Sequence, residues 1–106
     1  MAISLVISRH SPADCPKYNE KNRKVTLEFA NKANELMEKH GIKSLGGWTV
    51  HPEHLIVNVL EGPSLDALDA FLREPVVMQS LDFQTSELKI ATPIQQTYER
   101  LMRMQS

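Results

Sequence analysis

A single cysteine stands among 106 residues. One thiol closes no intramolecular disulfide, so the chain is not a cross-linked secreted scaffold. No run of 18 apolar residues occurs, which argues against a membrane-spanning helix. Residues 1–9 are apolar, but too short and too polar for a signal-peptide core, and a cytoplasmic location is expected. Neither sign of charge dominates. Twelve Lys and Arg oppose thirteen Asp and Glu, for a net charge of -1, which offers nothing to attract nucleic acid or an anionic membrane. There is no glycine-rich phosphate loop, no Ser-His-Asp order and no internal repeat. What is there reads as one globular domain, 1–106, with a core over 1–91 and a helical tail over 92–106. Its 42% apolar and 24% charged residues are ordinary for that class.

Ile3, Leu5 and Ile7 alternate with Ser4, Val6 and Ser8, the pattern of a first strand. Pro12 and Pro16 make residues 9–16 a loop. Val25, Phe29, Ala33, Leu36 and Met37 recur at spacings of three and four, which predicts a helix over 20–40. Gly41 suits its left-handed end and His40 its last turn. A second strand spans 42–51, with a bulge at Gly46-Gly47. A nearly all-apolar third strand spans 54–61 and should be central. Ser64 caps a second helix carrying Leu65, Leu68, Phe71 and Leu72. Pro75 ends it or opens a short extra turn. A fourth strand covers 83–91, and a tail helix over 93–104 presents Ile94, Tyr98, Leu101 and Met102.

The order β-α-β-β-α-β plus a C-terminal helix predicts an α+β, ferredoxin-like fold. Right-handed crossovers give an antiparallel sheet in the order 4-1-3-2. Both helices cover one face. Val6, Ile56 and Leu60 are expected on the other, where a second copy of the chain is the simplest cover.

With this topology and size, and with Glu-Pro-Val-Val-Met-Gln-Ser-Leu-Asp-Phe over residues 74–83, the chain resembles the dimeric α+β barrel superfamily. Within it, the likeness is to YCII-like and antibiotic-biosynthesis-monooxygenase-like small proteins. The resemblance implies the fold and a homodimer through the sheet face, with a small-molecule pocket. It carries over no catalytic motif.

The four histidines sort by position. His40 belongs to a helix end. In the predicted topology His10 leaves the first strand beside the turn His51-Pro52-Glu53-His54. With Pro52-Glu53 as a two-residue turn, His51 and His54 are cross-strand neighbours about 4.5–5.5 Å apart. Parity places Ile3, Leu5, Ile7, Trp48 and Val50 toward the helices. Ser4, Val6, Ser8 and His10 then face away with His51, His54 and Asn58. Cys15 follows in the loop, with Asp14 and Glu53 nearby. His10, His51, His54 and Cys15 are thus candidate ligands for one divalent transition metal (Zn, Fe, Ni or Cu), with Glu53 or Asp14 as a further ligand or base. Ser8 and Asn58 line a pocket or bond across the dimer seam.

Three functional classes follow: a metal-dependent small-molecule enzyme, such as an oxidoreductase; a non-enzymatic binder or sensor of a small molecule or metal ion; and an accessory dimer without chemistry. A metal-free pocket with histidine as acid or base, or histidines simply solvated at a strand end, remain open. Glu87 and Lys89 read as a solvated or cross-dimer ion pair. Lys17, Lys21, Arg23 and Lys24 lack the aromatic platform that nucleic-acid binding uses.

Overall fold

The computed structural model describes residues 1–105. β1 (Ala2–Arg9) leads into α1 (Glu20–His40), followed by β2 (Lys43–Val50) and β3 (Leu55–Gly62). Two short helices, α2 (Leu65–Leu72) and α3 (Pro75–Asp82), precede β4 (Thr85–Ala91) and α4 (Ile94–Gln105). The four strands form one antiparallel sheet in the order β2-β3-β1-β4, the expected ferredoxin-like arrangement. The extra turn at Pro75 is a full two-turn helix, with Pro75 in the first turn where its missing N–H costs nothing.

Local signals fix the helix ends. Asn19 caps α1 by accepting from the Asn22 N–H at 3.0 Å. Gly41 ends it at φ 69°, a conformation that costs glycine little. Ser64 caps α2 through the Ala67 N–H at 3.1 Å. The bulge expected at the paired glycines falls between Ser44 and Gly46.

The structure reverses the expected parity of the faces. Ser4, Val6 and Ser8 are buried, and Val6 and Leu60 join Ile42, Leu68, Phe71, Val76 and Val77 in the core. The helices therefore cover the even-numbered residues of β1 and β3. Phe29, Leu36 and Met37 of α1 close the layer. Leu68 and Phe71 each contribute about 1.5–3 kcal/mol by leaving water. Both faces of the sheet carry apolar side chains, so alternation alone does not choose between them; Ser8 is accommodated beneath the helices with its hydroxyl 2.9 Å from Ser86 Oγ. Ile56 shares the helix-side parity of Leu60, against expectation.

Ile3, Leu5 and Ile7 lie on the opposite, open face with Val57 and Val59, their neighbours in the β1–β3 register. Trp48 pairs with Val57 there. It is 56% exposed rather than packed against a helix. A Cβ at Gly46 would meet its ring at 2.3 Å, so glycine is what lets the indole lie flat over the bulge. Glu87 bonds Lys89 at 3.3 Å on the same side, an exposed pair as expected, with Arg9 3.7 Å away.

α4 buries no residue. Ile94, Tyr98, Leu101 and Met102 are each at least half exposed. The radius of gyration is 15.9 Å, against about 13 Å for a compact chain of this length. No helix among the described residues is long and apolar enough to cross a membrane.

Candidate metal site

β1 and the β2–β3 turn meet at the end of the sheet where His10 follows Arg9. The His10 N–H donates to the His54 carbonyl at 3.3 Å, which fixes the two residues side by side. The strands stop pairing at Val50 and Leu55, so residues 51–54 form a four-residue turn instead of the expected two-residue one. His54 sits in it at φ 53°. A left-handed non-glycine residue costs of order 1–3 kcal/mol and concentrates at functional sites. Its ring stands edge-on to that of His10, with centroids 5.4 Å apart.

Cys15 reaches the same spot from residues 11–19. That loop is pinned to the start of α1: Asn22 Nδ2 donates to the Asp14 carbonyl at 2.9 Å, and the Tyr18 and Asn19 N–H groups donate to the Cys15 carbonyl. The thiol is buried, at 6% exposure. The ligand atoms of His10, Cys15 and His54 all lie within 4.8 Å of one another. Bonds of about 2.0–2.3 Å space tetrahedral ligands about 3.5 Å apart. Side-chain movements of about an ångström would bring the group to the spacing that an ion requires. Two imidazoles and a thiolate suit zinc or copper, and three protein ligands leave a position open.

A residue invisible to the sequence reading determines which nitrogen of His10 is available. Gln84 Nε2 donates to the Ser80 carbonyl at 2.7 Å. This turns its Oε1 toward His10 Nδ1, 3.1 Å away. An amide oxygen only accepts, so Nδ1 carries the proton and Nε2 keeps its lone pair. This is the outer-sphere bond that metal-ligating histidines use. Phe83 flanks the same ring, with centroids 6.0 Å apart. No sequence signal marked Gln84, because the contact joins residues 74 positions apart.

The other candidates fall elsewhere. His51 lines the neighbouring cavity but lies outside the group of three, its Nε2 3.1 Å from Thr49 Oγ1. The longer turn separates it from the cross-strand position beside His54. Asp14 accepts from Ser11 Oγ at 3.1 Å, and Glu53 is exposed at the turn. Neither carboxylate joins the group or lines the cavity. Ser8 is bound to Ser86. Asn58 lies against Gly47, where a Cβ would come within 2.7 Å of Asn58 Oδ1. Both residues face the helix side, so neither lies on the open face, and neither lines the cavity. His40 is the expected helix-end residue, 2.6 Å from Glu74 and edge-on to Phe71.

The cavity beside the three ligands measures about 380 Å³. A second hollow of about 390 Å³ near α2, α3 and β4 holds Asp69 and Asp82 but no imidazole or thiol. Asp69 there is engaged by Arg73 at 2.9 Å.

No protein-family model and no curated protein matches the sequence. Solved structures do match. Protein Atu4242 from Agrobacterium tumefaciens superposes with a TM-score of 0.59 at 21% identity, over 88% of this chain and 93% of that one. An uncharacterized NIPSNAP domain protein from Burkholderia xenovorans superposes with a TM-score of 0.53 at 12% identity, over 88% and 94%. The likeness carries the ferredoxin-like fold and nothing of family or activity.

Proposed function

We propose that this chain is a homodimeric small-molecule protein whose site is built on one divalent transition metal held by His10, Cys15 and His54. The observation that carries the reading is the convergence of these three ligand atoms within 4.8 Å, with His10 Nδ1 already engaged by Gln84. The dimer rests on the open face. Ile3, Leu5, Ile7, Val57 and Val59 are half-buried on β1 and β3, and beside them Trp48 of β2 is 56% exposed, an apolar face that a cover would close. A second copy supplies an identical surface, and a two-fold axis closes the contact.

Two activities fit such a site: redox chemistry on a small molecule, and reversible binding in a sensor. No Asp or Glu is among the residues lining the cavity. With no carboxylate there, His51 is the imidazole beside the three ligands that could serve as a base. The test is elemental analysis of protein purified without a histidine tag, beside a Cys15→Ser, His54→Ala double variant. One equivalent of metal in the native chain, lost in the variant, is the expected result. A metal-free native chain that takes up no zinc or copper on addition overturns the reading. Turnover assays with the loaded protein then separate oxidoreductase from sensor.

A further inference from the structure

The cavity beside the three ligands is uneven in its chemistry. Its thirteen lining residues include no Asp or Glu, and Lys17 is its one permanent cation. Tyr18 and Thr26 bring hydroxyl groups, while Val50, Pro52 and Ile56 bring apolar surface. A divalent ion with one thiolate keeps a net positive charge, and Lys17 adds another. The volume of about 380 Å³ is at the lower end of the small-molecule range of about 300–1,000 Å³.

We infer that the ligand of this site is a small organic carboxylate with an apolar body. The inference rests on the metal reading above. The carboxylate takes the open metal position, Lys17 balances its charge, and the body lies on Val50, Pro52 and Ile56. A cationic ligand would meet like charge twice over. A neutral one would forgo both the metal's residual charge and Lys17, which stands exposed at the cavity's rim.

Cobalt(II)-loaded protein tests this, because its spectrum reports two things separately. The thiolate-to-cobalt charge-transfer band shows the ion on Cys15, and the ligand-field bands respond to the open position. Benzoate, acetate and the neutral isostere benzamide serve as probes. The expected result is saturable movement of the ligand-field bands by benzoate, with acetate on the order of tenfold weaker for want of apolar surface. Benzamide should have no effect, and Lys17→Met should weaken benzoate severalfold. A charge-transfer band with ligand-field bands unmoved by either carboxylate overturns the inference and leaves the metal reading standing. So does benzamide binding as well as benzoate. If no charge-transfer band forms, the metal reading itself fails and takes the inference with it.

Discussion

His10 donates through Nδ1 to Gln84 Oε1 at 3.1 Å, across 74 positions of sequence. The bond ties the end of β1 to the segment between α3 and β4. It also commits the imidazole to one tautomer. Gln84→Leu removes the acceptor, and metal affinity should fall about 10- to 100-fold. Gln84→Glu keeps an acceptor at that point and should restore most of the loss. Competition against a chromophoric chelator measures both. Equal affinities for native protein and Gln84→Leu would sink the assignment.

Glu74, at the start of α3, meets the last turn of α1. His40 Nε2 is 2.6 Å away and Lys39 Nζ 2.9 Å. The hydrogen bond from His40, then that from Lys39, holds the Glu74 carboxyl below its ordinary value of 4.5. A carboxyl depressed in the folded state binds protons more weakly there than in the unfolded chain. Its contribution to stability is therefore complete above the ordinary value and lost as pH falls through the lowered one. Thermal melts of native protein and Glu74→Gln should differ at neutral pH and converge below pH 4.5. A gap that stays constant across that range contradicts the assignment.

Ser4 is fully buried, and its Oγ finds no hydrogen-bond partner among the described residues. An unpaired buried hydroxyl costs about 1–3 kcal/mol. Ser4→Ala removes the group and leaves only a small void. It should stabilise the fold by about 1 kcal/mol, or raise Tm by about 4–8 °C. Urea unfolding checks the sign: a lowered midpoint would show that the hydroxyl is satisfied in solution.

Val57 stands in the middle of the open face, between Ile7 on β1 and Trp48 on β2. A charge there should be harmless in a monomer and costly in a dry seam. Val57→Lys is expected to convert a sedimenting dimer into a folded monomer with unchanged far-UV circular dichroism. A native chain that sediments as a monomer would remove the proposed dimer.

The element order, the strand order and most helix ends were legible from periodicity and caps. Facing was not, and the reason lies in Ser4, Val6 and Ser8. Both faces of this sheet carry apolar side chains, so alternation separates two sets without saying which one the helices take. His10 and His54 nonetheless lie side by side, with ring centroids 5.4 Å apart, because reversing every strand together keeps neighbours on the same side. His51 was grouped with them only by assuming a two-residue turn, and the two added turn positions took it away. Gln84 and Phe83 could not be found from local pattern, since they meet His10 only once α3 has packed. The placement of Cys15 depended on Asn19 and Asn22 drawing the loop onto α1, and single-residue spacing does not encode such bonds.

The lone thiol also gives the protein a reporter. Cys15 is 6% exposed, yet it lines the cavity beside His10 and His54. A small alkylating reagent therefore reaches the sulfur by the same route as a ligand, and its labelling rate measures access to the site. An ion held by the three residues would occupy that sulfur. Protection from labelling then counts the loaded fraction without any assay of activity.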